Sequence, residues 1–83
     1  MSDMTTKNKE ELLLIIGNRI KFLREQKNIS LQYLAAICNF EKANLWRIEA
    51  GRTNPTVYTL HKISQALGIS LSEIVDINNA GAV

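Results

Sequence analysis

The sequence predicts an all-α fold, one compact domain of five helices joined by short loops. Three observations predict it. The chain has 83 residues, enough for one domain with a small core. Apolar residues recur at the spacing of a helix, and no stretch shows the alternation of a strand. Pro55 is the only proline and glycine occurs four times, so breaks are few and fall between the periodic runs.

The elements follow in order. Residues 1–7 are polar and aperiodic and read as a flexible arm. Asn8 with Glu11 reads as an N-cap and capping-box partner. A helix then runs to about Lys27, with Leu13, Ile16, Ile20 and Leu23 as its buried stripe, and Asn28 as a left-handed stop. Ser30 caps a second helix, Leu31 to Cys38, whose apolar face is Leu31, Leu34, Ala35 and Cys38. Asn39 ends it. A third helix, Lys42 to Ala50, starts at once, with Phe40 and Leu45 spaced as a hydrophobic staple. Gly51 ends this helix, and Arg52-Thr53-Asn54-Pro55 form a loop. Thr56 caps a fourth helix to Leu67, stopped by Gly68. Ser70 and Glu73 form a second capping box that opens a fifth helix to about Asp76. Residues 8–76 are thus the domain, and residues 77–83 read as a flexible tail.

Composition narrows the function. Apolar residues are 46% and charged residues 22%, which excludes global disorder. A net charge of +2 and a pI near 8.9 permit a nucleic-acid partner without requiring one. Cys38 is the only cysteine, so no internal disulfide and no multi-cysteine metal site can form. The expected setting is a reducing cytoplasm. The run Leu12–Ile16 is far too short to span a membrane and lacks signal-peptide flanks. No Ser-His-Asp set, phosphate-cradling glycine loop or paired acids in a cleft point to catalysis. No cofactor, metal or small-molecule ligand is implied. His61 has no second ligand nearby and reads as a half-buried side chain, and Cys38 reads as a small hydrophobe.

Two short helices separated by about three residues form a helix-turn-helix unit. At about 100° per residue, Leu45, Ile48 and Glu49 fall on one side of the third helix. Lys42, Ala43, Trp46, Arg47 and Ala50 fall on the other. That outward stripe suits duplex DNA. Arg and Lys donate to guanine O6 and N7, and alanine methyls can touch the thymine methyl. The plainer reading of the same residues is a solvated basic face.

The stretch Ile16–Val75 resembles the phage-repressor-like, or xenobiotic-response-element (XRE), helix-turn-helix family. The matching residues are Ile16-Gly17-Asn18-Arg19-Ile20, Leu23-Arg24, Leu34-Ala35, Ile48-Glu49-Ala50-Gly51-Arg52, Asn54-Pro55 and Leu67-Gly68-Ile69-Ser70-Leu71. Each motif is weak alone, and the ungapped series is specific. The resemblance implies a lambda-repressor-like five-helix domain, sequence-specific double-stranded DNA binding in transcription regulation, and a homodimer on an inverted-repeat site. By position it puts base reading on Lys42, Ala43 and Arg47. Backbone or flanking contacts fall on Ser30, Gln32, Asn44, Trp46, Arg52, Thr53 and Asn54. It implies a structural salt bridge between Arg24 and Glu49.

Two positions depart from the family pattern. Leu31 stands where a phosphate-touching Gln is common, and Glu41 stands where Ser or Thr usually caps the recognition helix. Glu41 is a poor cap and repels phosphate, so either the helix starts differently or Glu41 turns to a cytosine amino group or a basic neighbour. Trp46 packs either on a sugar-phosphate edge or base methyl, or back over Ala43, Ala50 and the loop. A dimer needs a self-complementary apolar patch. The favoured one is the fifth helix and tail, with Leu71, Ile74, Val75 and Ile77. The other is Ile15 with Phe22, a pair that the arm or the fifth helix would otherwise cover. The competing function is a protein-interaction module, an antirepressor or assembly factor that keeps the fold without binding DNA.

Overall fold

The computed structural model describes residues 8–77. The arm expected at 1–7 and all of the expected tail except Ile77 lie outside the described residues. Five helices follow in order: α1 Lys9–Gln26, α2 Leu31–Cys38, α3 Lys42–Glu49, α4 Val57–Leu67 and α5 Leu71–Ile74. No described residue is in a strand.

Local chemistry sets the helix starts. Asn8, Ser30 and Thr56 each accept a backbone N–H three residues on, at 2.8, 3.0 and 3.1 Å. The Ser70–Glu73 capping box is closed both ways, with Glu73 N–H on Ser70 Oγ at 3.3 Å and Ser70 N–H on Glu73 Oε1 at 3.2 Å. At Asn8 only the first of the two bonds of such a box is present. Glu41 is the exception, since it precedes α3 with no side-chain cap bond.

The four longer helices all stop in one way. Asn28, Asn39, Gly51 and Gly68 adopt φ of 57°, 60°, 73° and 71°. The residue after each donates its N–H back to a carbonyl five positions earlier, from Ile29 to Arg24, Phe40 to Ala35, Arg52 to Arg47 and Ile69 to Ser64. This is the Schellman motif, in which the residue beyond the left-handed position commonly packs on the helix it ends. Ile29, Phe40 and Ile69 do so and cover the core. Arg52 is the one polar residue in this role.

The main packing runs in a closed ring, with α1 on α3, α3 on α2, α2 on α4, α4 on α5 and α5 back on α1. Ile20, Leu34, Ala35, Cys38, Leu45, Ile48, Leu60, Ile63, Leu67 and Ile74 fill its centre. The buried face of α1 differs from the expected stripe. Ile20 is buried and Ile16 and Leu23 lean on the core, but Leu13 is only half-buried, and Gly17 and Arg24 are buried. Gly17 sits where α1 crosses the end of α3. A Cβ there would overlap the carbonyl oxygen of Ile48 and lie 2.6 Å from that of Glu49, so only glycine lets the two backbones approach this closely.

The fifth helix ends at Ile74, two residues before the expected Asp76. Val and Asp are weak helix formers, and only Val75 continues the turn, donating to Leu71 O at 3.2 Å. Ile74 corrects the expected dimer set. It is fully buried in the core and offers nothing to a partner, whereas Val75 is 41% exposed. Leu71 and Ile77 are half-buried. Arg19 Nε donates to Glu73 O at 2.6 Å, tying α1 to α5. Arg19 lies between Ile15 and Phe22 on one side of α1. His61 is exposed rather than half-buried, because it lies on the side of α4 opposite Leu60, Ile63 and Leu67.

Candidate nucleic-acid interface

The unit α2–turn–α3 is held from inside. Leu45 is fully buried, and Ile48 and Glu49 are each 6% exposed, so one face of α3 is fixed on the core. Glu49 is held by Arg24 across the α1–α3 contact. Arg24 Nε donates to Oε2 at 2.7 Å and Nη2 to Oε1 at 3.0 Å, a bidentate fork. Nη1 donates to Ile29 O at 2.7 Å. The hydrogen bond to Glu49 raises the Arg24 pKa above its ordinary value, and the charge attraction adds to it; together they outweigh the opposing effect of burial. The pair ties the inner face of α3 to α1.

Outward, Lys42, Ala43, Asn44, Trp46 and Arg47 are all exposed, and Ala50 is half-buried. Arg47 Nη1 donates to Asn44 Oδ1 at 2.8 Å, one turn back on the same helix. This bond leaves the remaining guanidinium donors free and narrows the directions in which they point. Asn44, Arg47, Thr53 and Asn54 line one recess together with the start of α4. Thr56 Oγ1 is committed there to capping α4. At the other edge of the outward stripe, Arg52 lies over the Trp46 ring, 5.7 Å from its centroid, within cation–π range. Where the other helix stops bury an apolar side chain, this one places a cation on the exposed stripe. Ser30 Oγ accepts from Tyr33 N–H and keeps its hydroxyl hydrogen to donate. Gln32 is exposed beside it, and Leu31 is half-buried.

The structure adds two residues that sequence reasoning passed over. Asn18 and Lys21 of α1 line a recess with Trp46, Leu31 and Ala50. Periodicity marks them only as polar positions on α1, and their nearness to α3 follows from the crossing at Gly17.

Other chemistry is sparse. Among the described residues no group of three or more His, Cys, Asp or Glu could hold a metal ion. No described helix is long and apolar enough to cross a membrane. Burial pushes the Cys38 thiol pKa up, against a smaller opposing effect of Lys62, which keeps it in the unreactive protonated form.

Comparison with known proteins bears on the same unit. A family model described as helix-turn-helix matches residues 20–74. An HTH-type transcriptional regulator of Sinorhizobium fredii, y4dJ, is 38% identical over 61 residues, 74% of this chain and 79% of that protein. The immunity repressor of Bacillus phage phi105 is 37% identical over 75% of this chain, which spans only 43% of that protein. The crystal structure of the biofilm master regulator SinR in complex with DNA superimposes with a TM-score of 0.69 at 39% identity, over 74% of this chain and 98% of that one.

Proposed function

The chain belongs to the helix-turn-helix family of DNA-binding transcription regulators, and on that premise we propose that it reads double-stranded DNA sequence-specifically through α3. The observation that carries this is the division of α3. Its inner face is fixed by Leu45, Ile48 and the Arg24–Glu49 pair, while Lys42, Ala43 and Arg47 stand exposed on the outer face. A helix so held can enter the major groove without deforming. Lys42, Ala43 and Arg47 read base edges. Ser30, Gln32, Trp46, Arg52, Thr53 and Asn54 contact the backbone or flanking bases, joined by Lys21 and Asn18. Likeness to the immunity repressor of phage phi105 supports a repressor's role, carried out in the cytoplasm.

The test is binding to duplexes selected from a random library. If a dimer neutralises about 6–8 phosphates, log affinity falls with log salt at a slope of roughly −5 to −7. The interaction-module reading gains the field if no selected duplex is bound at low salt.

Asn44 acts at second hand in this scheme, as a positioning residue for Arg47. Arg47→Ala is expected to cost about 1–3 kcal/mol on the preferred site and to relax specificity at one base pair per half-site. Asn44→Ala should weaken preference at that same base pair, and the double variant should lose less than the sum of the two. Arg52→Ala should weaken binding to all sequences alike. Competition titrations against single-base operator variants separate these patterns. Additive losses from Asn44 and Arg47 would make Asn44 an independent contact.

One domain contacts too few base pairs to find a site in a genome. The dimer supplies the second half-site, with α3 helices about 34–36 Å apart on an inverted repeat. The proposed dimer face joins Val75, Leu71 and Ile77 to Ile15 and Phe22, and the Arg19–Glu73 bond between α1 and α5 supports treating them as one surface. Val75→Glu should give a monomer in analytical ultracentrifugation with a nearly unchanged melting temperature. It should weaken binding to the full site and spare the half-site. A variant that remains dimeric would move the interface elsewhere.

A further inference from the structure

We propose that the recess between the start of α2 and the outward stripe of α3 is a specificity site for the 5-methyl group of a pyrimidine, thymine or 5-methylcytosine. The proposal rests on the reading of α3 as the groove-entering helix. The recess is lined by Leu31, Ala43, Trp46 and the stem of Lys42, and its walls are almost wholly apolar. It lies on the same face as Arg47. Trp46 leaves half of its surface, 51%, in solvent. A large aromatic side chain left exposed beside an apolar recess marks a contact surface. The ring is not loose there, since the Arg52 guanidinium sits over it.

Charge selects the occupant. Lys42 lines the recess, Arg52 lies over its Trp46 wall, and Lys21 lines the adjoining recess behind Trp46. A second copy of the chain would set these cations against their own equivalents. An apolar peptide would leave them without counter-charge. A DNA duplex supplies phosphates for the cations, and the one apolar group its base edges present in the major groove is the pyrimidine 5-methyl. Leu31 and Trp46 thereby act together. Leu31, the first residue of α2, becomes one wall of a methyl site, and Trp46 becomes the other.

The experiment uses the full chain and the tightest duplex from the random-library selection. Each thymine is replaced in turn by deoxyuridine, which removes only the methyl group. One thymine per half-site should be sensitive, with affinity falling about fourfold, which corresponds to ~0.8 kcal/mol for a methyl-sized group. With a C·G pair at that position, 5-methylcytosine should bind more tightly than cytosine by a similar factor if the recess serves both bases, and the lack of such a gain assigns it to thymine alone. In Trp46→Ala, and in Leu31→Gln if its melting curve remains native, the methyl effect should vanish while the base preference set by Arg47 persists. The proposal is overturned if no thymine is sensitive, or if sensitivity is unchanged in Trp46→Ala. Absence of binding to any duplex would instead remove the functional reading and this site with it.

Discussion

Gly17→Ala is expected to unfold the domain at moderate temperature. An exchange of glycine for alanine within a helix ordinarily gains up to about 1 kcal/mol, so the sign here is decided by space. The new methyl would overlap the carbonyl oxygen of Ile48 and come within 2.6 Å of that of Glu49 and 2.9 Å of its carbon. These are backbone atoms of α3 and cannot rotate away. Relief requires α1 and α3 to separate, which opens the core at Ile20 and Ile48 and disturbs the nearby Arg24–Glu49 fork. The cost is about 3–4 kcal/mol or more. In a domain this small it lowers the melting temperature by more than about 12 °C. Asn18→Ala, at the next position and exposed, should leave the melting temperature within a few degrees. A Gly17→Ala protein as stable as the parent would mean that α1 and α3 do not cross at this distance.

Glu49→Ala should have an effect of similar size for a different reason. Both partners of the fork are less than a tenth exposed. Removing the carboxylate leaves the Arg24 guanidinium buried, with the Ile29 carbonyl and a 4.0 Å approach to exposed Glu25 as its remaining partners. Breaking a buried pair from one side costs about 3–5 kcal/mol, mostly because of the stranded charge. The double variant Arg24→Met/Glu49→Leu should therefore be more stable than Glu49→Ala alone. Urea unfolding measures both. The protein that stays folded should keep its base preferences, since Glu49 faces the core. A loss below about 1 kcal/mol, or a changed base preference at unchanged stability, would assign Glu49 another role.

Much of the fold was legible because its punctuation is local. Asn8, Ser30, Thr56 and Ser70 cap with their own side chains, and Asn28, Asn39, Gly51 and Gly68 take the left-handed conformation that few other residues tolerate. The inner face of α3 followed from its period. What the apolar stripe of α1 could not show was a buried position that is not apolar. Gly17 and Arg24 lie inside, and only the family resemblance pointed to the Arg24–Glu49 pair. The four-residue α5 is too short to carry a period, so Ile74, buried, and Val75, exposed, read alike in sequence. The Asn44–Arg47 and Arg19–Glu73 bonds depend on rotamers and on helix crossing. The nearness of Lys21 to Trp46 depends on how α1 lies across α3. None of these has a sequence signature.

The most direct measurement of the central claim is methylation interference at guanine N7 on the selected duplex, because N7 lies in the major groove and is the atom an arginine reads together with O6. Insertion of α3 into the groove predicts strong interference at one guanine in each half-site, with the two about one helical turn apart. It also predicts that this interference disappears in Arg47→Ala while contacts elsewhere on the duplex persist. A duplex bound tightly with no N7 interference, or with the same interference in Arg47→Ala, would contradict the placement of α3 in the major groove.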